Sequence, residues 1–235
     1  MAMSKPLTTI SNSLKTVEWM WKVNEDPFSN EKEKWNHYSD VENIIIEGAY
    51  QNKELQAVLD DYYIDFNDNL QVSTNDSYRQ KPVKRVVRKR EDKHLREARF
   101  MDLPVSSDRS FGGQYGWMSP FVIEVRRDLG LKKQDLPSKN PELIPGLVEK
   151  AAQGIINEAK HIRKQKEAEE MAKMLLETKQ KSMEDVWKCC AYLYSLESFL
   201  YKTLNATMRL VGSKDDEKIW RSKIKTLGPF CLLLW

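Results

Sequence analysis

Residues 79–90 read "RQKPVKRVVRKR": seven of the twelve side chains are basic and none is acidic. Upstream, "VEWMWKV" at 17–23 and "EKWNHY" at 33–38 place three of the chain's seven tryptophans within its first 35 residues. A guanidinium grips two phosphate oxygens at once, and an aromatic face gives a base a surface to stack on. Together they could hold a nucleotide-like ligand or a single nucleic-acid strand, the latter with steep salt dependence. Structural readings stand beside these. A basic run also keeps a strand edge soluble and unpaired, and a small sheet needs large aromatics to exclude water.

Other chemistries find little material. The three cysteines, Cys189, Cys190 and Cys231, have no CxxC spacing, and the three histidines do not cluster. The expectation is a reduced, intracellular protein, cytoplasmic or nuclear, with no disulfide and no metal site. No apolar run approaches the ~20 residues that span a bilayer, and "MAMSKPLTTISNSLKTVE" has no secretory apolar stretch, so no membrane role is expected. With 40% hydrophobic and 31% charged residues and a net charge of +3, the chain has an ordinary globular composition. Any electrostatic signal must be local, and the near-neutral total weighs mildly against nucleic acid.

The elements that would position these groups are legible in outline. Val17, Trp19, Trp21 and Val23 alternate with Glu18, Met20 and Lys22, the period of a half-buried strand. A polar loop with Pro27 and a short strand at 35–38 follow. Ser39 and Glu42 spell a capping box for a helix in which Val41, Ile45 and Ala49 share a face; Gly48 predicts that it is short. Residues 55–73 read as strands broken at Asp60–Asp61 and Asn67–Asn69, and the basic run as a final strand. From residue 141 the pattern turns helical. Pro145, Gly146 and Gly154 argue against one unbroken helix, Ser182 caps another, and 186–211 reads as a central helical core ended by Gly212. The apolar ending "FCLLLW" either docks in a groove or leads into a continuing domain. The fold class expected is α+β: a small sheet with one helix, then a mostly α-helical region. The divisions are a flexible tail at 1–15, a sheet domain at 16–91, an irregular linker at 92–140 and a helical region at 141–235.

In order, Trp19 and Trp21, "WNHY", "IIEGAY", "YYIDF", Gln71 and the Tyr78–Arg79 pair resemble a WWE domain, a half-barrel sheet around one helix. The family's two tryptophans and glutamate correspond to Trp19 or Trp21, Trp35 and Glu47. The resemblance implies recognition of iso-ADP-ribose, the internal unit of poly(ADP-ribose), with ADP-ribosylated proteins as partners. It makes Tyr62, Gln71 and Arg79 the ligand-contacting tyrosine, glutamine and phosphate-binding arginine. Lys84, Arg85 and Arg88 are further candidates. WWE domains also serve as protein-interaction modules.

From about Trp187, "YSLESFLYKTLNATMR" and "IWRSKIKTLGPFCLLLW" resemble the helical N-terminal part of arginine-directed mono-ADP-ribosyltransferases. In that family an arginine strand, a Ser-x-Ser strand and a Glu-x-Glu loop carry catalysis, and all follow the point where this sequence stops. Ser11-Asn12-Ser13, Glu31-Lys32-Glu33 and Glu167-Ala168-Glu169 match the spellings in the wrong order and context, so none is assigned a catalytic role. The implied reading is a reader of ADP-ribose polymers joined to an incomplete transferase. It carries no cofactor of its own, with NAD bound only if the transferase domain is complete in the parent protein.

Overall fold

The computed structural model describes residues 17–24, 26, 28, 32–87, 119–132, 135–211 and 213–235. The expected tail at 1–15, the first part of the expected linker (92–118), Arg88, Gly212 and the Ser11-Asn12-Ser13 spelling lie outside them. The described chain is α+β and divides into two compact units. One comprises 17–87 with 163–170, the other 119–162 with 171–235.

In the first unit, six strands form one antiparallel sheet: β1 (Val17–Lys22), β2 (Trp35–His37), β3 (Gln56–Val58), β4 (Tyr62–Asp65), β5 (Leu70–Ser73) and β6 (Gln80–Val87). Their order is β2-β1-β6-β5-β4-β3, with β2 and β3 at the two edges. Helix α1 (Asp40–Gln51) covers one face. Ser39 Oγ accepts from the Glu42 N–H, and Glu42 Oε2 accepts from the Ser39 N–H, so the expected capping box forms. Alternation along β1 sends Val17 and Trp19 into a core with Ile46, Ala49, Ala57, Ile64 and Val83. Burying the valine and isoleucine side chains among these contributes about 1.5–3 kcal/mol each. Asn43 ties helix to strand, accepting from the Trp19 N–H at 2.7 Å and donating to the Val17 carbonyl at 3.2 Å.

The opposite face of β1 is less polar in its surroundings than alternation suggests, since Glu18 and Lys22 are both buried. Pairing with β2 explains this: His37 packs its ring against the Glu18 carboxylate, and Glu33 lies 3.9 Å from Lys22. Asn69 makes the tight β4–β5 turn at φ 54°, a left-handed conformation that asparagine tolerates.

In the second unit, helices α2 (Pro120–Asp128), α3 (Ile144–Lys160), α5 (Met183–Ser195), α6 (Phe199–Leu210), α7 (Glu217–Ser222) and α8 (Ile224–Leu234) build the core. Helix α4 (Gln165–Leu176) lies between α3 and α5 in sequence, and a 3-10 turn (Pro141–Leu143) leads into α3. Three expectations need correction. The 92–140 stretch is not wholly irregular, because Ser119 caps α2, Pro120 takes its first turn, and Phe121, Val122 and Val125 bury. The stretch 141–179 is broken as expected, but at 161–164 rather than at Gly154, which sits inside α3 where the Thr226 backbone of α8 occupies the space of a side chain. The stretch 186–211 is two helices, parted at 196–198, where Ser198 accepts from the Tyr201 N–H and starts α6. The apolar ending is α8, buried from Ile224 to Leu233 at Ile224 and 227–233 against α3, α2 and α5.

Candidate functional site

Register decides which side chains can meet. Ser73 pairs with Tyr62, and its N–H reaches the Arg79 carbonyl at 3.1 Å, which extends the β5–β6 ladder by one step. In the next row of the same face Gln71 stands between Ile64 and Lys81. Directly opposed residues share a face about 5 Å apart, and rows of one face lie about 7 Å apart. Tyr62, Ser73 and Arg79 thus form one row, and Ile64, Gln71 and Lys81 the next. Ile64 belongs to the core under α1, so this is the helix-covered face continuing past the helix toward solvent.

The groups in these rows are well oriented. Tyr38, buried at the end of β2, donates its hydroxyl to Gln71 Oε1 at 2.8 Å. That bond aims the Gln71 amide, whose NH2 has no protein partner among the described residues. Tyr62 donates to Glu42 Oε1 at 2.8 Å, and its ring lies 6.0 Å from that of Tyr38. Burial raises both phenols far above their ordinary value, and the Glu42 charge adds to it. Burial also pushes the Glu42 carboxyl up. Lys164, Tyr62 and Ser39 outweigh it and hold the carboxyl below its usual range.

The cations differ in availability. The Lys81 ammonium lies 4.2 Å from the centre of the Trp21 ring, a geometry in which the ring's negative face attracts it. Neither Lys81 nor Arg79 has a carboxylate partner among the described residues. Arg79 is exposed at the turn entering β6. Arg85, by contrast, is spent on structure: it donates to both oxygens of Glu47 at 2.9 and 2.8 Å. Lys84 lies on the other face, opposite Met20, with its ammonium 3.9 Å from the Trp35 ring centre. The two lysines have opposite parity in β6, so Lys84 and Gln71 do not share a face.

Of the residues singled out from sequence, Tyr62, Gln71 and Arg79 fall on adjacent rows of one face, while Lys84 and Arg85 are turned to other tasks. Lys81, which the sequence reading passed over, stands opposite Gln71. Its signal was parity: counted in twos from Arg79, it falls on that residue's face. Trp19 and Glu47 are structural, joined by the indole N–H to Glu47 Oε2 at 2.9 Å. Trp21 flanks the site half-buried, and Trp35 packs on the other face.

The helical unit holds a separate cavity of about 250 Å³, lined by Leu136, Pro137, Met183, Trp187, Leu233 and Trp235 among others. The thiols of the same unit are poorly suited to chemistry: burial pushes Cys189 and Cys231 up to about 12 and raises Cys190 as well. Among the described residues no cluster of three metal-ligating side chains occurs, and no helix is long and apolar enough to cross a membrane.

No curated protein and no solved structure gives a significant match to this chain. One family model does match, and it covers the sheet, its helix and the paired rows described above: residues 17–85 match the WWE domain.

Proposed function

We propose that the sheet unit binds iso-ADP-ribose or the poly(ADP-ribose) that contains it. The observation that carries this reading is the placement of Tyr62, Gln71, Arg79 and Lys81 on two neighbouring rows of one face. The Gln71 NH2 supplies donors for a base or ribose edge. Trp21 and the Tyr62 ring supply apolar walls. Arg79 and Lys81 supply positive charge for the two phosphates. The match to the WWE domain supports the same reading, since that family includes ADP-ribose binders. Titration calorimetry of the full chain with iso-ADP-ribose tests it. Saturable heat at micromolar ligand supports binding, and a folded chain silent at millimolar ligand sinks it.

WWE domains also act as protein-interaction modules, and a single-stranded nucleic acid would meet the same cations. Arg79 and Lys81, without a carboxylate partner among the described residues, favour the ADP-ribose reading over a protein partner. Competition with single-stranded RNA separates the remaining pair: equal affinity for RNA and polymer would overturn specificity for ADP-ribose. An attached mono-ADP-ribosyltransferase region, proposed for residues 187–235, rests on sequence resemblance alone. Transfer from NAD to an arginine acceptor by a longer form of the protein tests it.

A further inference from the structure

Residues 163–170 fall outside the matched WWE stretch, yet they belong to the same compact unit as the sheet. The Lys164 ammonium lies 3.4 Å from Glu42 Oε1, the same oxygen that accepts the Tyr62 hydroxyl at 2.8 Å. A second anchor lies close by: the Lys166 N–H donates to Asp60 Oδ1 at 2.7 Å, two residues before Tyr62. Lys164 is also 3.6 Å from Glu167, whose side chain is 2% exposed. One ammonium thus stands between the half-buried Glu42 and the buried Glu167, and Glu42 holds the phenol of the candidate site.

We propose that Lys164 is a positioning residue for Tyr62, acting through Glu42, so that the ligand-binding face is completed by a segment some eighty residues beyond the last strand. The chemistry is direct. Glu42 has two oxygens and two tasks: Oε2 caps α1 and Oε1 receives the Tyr62 proton donor. A carboxylate accepts best while ionised, and a neighbouring cation favours that form against the cost of partial burial. Lys164 supplies that cation. Remove it, and Glu42 loses the charge that favours its ionised form, the Oε1 acceptor weakens, and the phenol is no longer fixed beside Gln71.

The effect on ligand affinity rests on the proposed ADP-ribose reading; the effect on Tyr62 does not. Both are measured on the full chain, with Lys164→Ala and Lys164→Gln as disrupting variants and Lys164→Arg as the conservative one. Carbon-13 labelling of tyrosine, with Tyr62→Phe identifying the signal, reports the Tyr62 ring in the absence of ligand. Calorimetry with iso-ADP-ribose reports affinity. Lys164→Gln, which keeps the side chain's length, covers the case in which Lys164→Ala does not fold. The expected result is a displaced Tyr62 signal and about tenfold weaker binding in the disrupting variants, with both restored in Lys164→Arg. An unchanged Tyr62 signal in folded Lys164→Gln overturns the proposal whatever the ligand does. A displaced signal with unchanged affinity overturns its bearing on binding. A displaced signal in a chain whose wild type binds no iso-ADP-ribose supports the role of Lys164 while overturning the ADP-ribose reading.

Discussion

The indole N–H of Trp19 and the carboxylate of Glu47 meet at 2.9 Å inside the sheet unit, 28 residues apart in sequence. Trp19 is 1% exposed, and Arg85 closes on the same carboxylate from β6 with two bonds. Burial favours the neutral form of Glu47, but its bonds from Arg85, Trp19 and Gln51 outweigh that and hold the carboxyl below its ordinary value. Glu47→Ala strands a buried indole N–H and a guanidinium. The loss should be about 2–4 kcal/mol, less than for a fully buried pair because Arg85 keeps some exposure. Chemical unfolding followed by tryptophan fluorescence measures it. A change below 0.5 kcal/mol would mean that the triad does not hold the sheet to its helix.

Ligand binding should distinguish the two lysines of β6. Lys81→Ala removes a cation from the row of Gln71 and should weaken iso-ADP-ribose binding by roughly 1.5–3 kcal/mol, the worth of a charged hydrogen bond. Arg79→Ala should weaken it in the same direction. Lys84→Ala lies on the other face and should leave affinity within a factor of two or so, since it makes no contact there. Calorimetry of the three variants checks the order; a larger effect at Lys84 than at Lys81 would place the ligand on the wrong side of the sheet.

Acid should loosen the sheet unit through two carboxyls. Folded Glu42 and Glu47 both lie below 4.5, the ordinary glutamate value expected once the chain unfolds. Their stabilisation is therefore fully present above that value and is lost as pH falls through the lower folded values. Fluorescence-monitored unfolding between pH 6 and 3 should show this loss, with a flatter slope in Glu42→Gln and Glu47→Gln. A wild-type slope unchanged by both substitutions would assign the acid sensitivity to other groups.

Two glycines of α3 should respond in opposite senses. A Cβ at Gly154 would lie 1.8 Å from the Thr226 carbonyl oxygen, a backbone atom that cannot turn aside. Gly154→Ala should therefore push α8 off α3 and cost about 1–3 kcal/mol or more. Gly146 has open space around it, so Gly146→Ala should stabilise the helix by roughly 0.5–1 kcal/mol. Urea unfolding followed by circular dichroism separates the two.

Much of the sheet unit could be read from sequence because its signals are local. Alternation marked β1, and Ser39 with Glu42 marked the start of α1. The contents of the candidate face were harder. Which basic residue faces Gln71 depends on register between strands, and a one-residue shift exchanges Lys81 for a residue on the other face. Arg85 and Lys84 are as basic as Lys81, and only the position of Glu47 and Trp35 shows that they are engaged elsewhere. In the helical unit, Gly154 carries the local signature of a break. The close approach of Thr226, 72 residues later in the chain, converts it into a contact.

Val17 opens β1 and Val87 closes β6, and the two are paired directly across the ladder. The polypeptide therefore enters and leaves the sheet at a single doorway, about 5 Å wide. Pulling on both ends would unzip β1 from β6 one rung at a time rather than shear the whole ladder. For the same reason the module can be spliced into a host loop without spreading the host's own ends. A circular permutant that bridges 17 and 87 with a few glycines and opens at the Asn67–Asn69 turn should keep the fold.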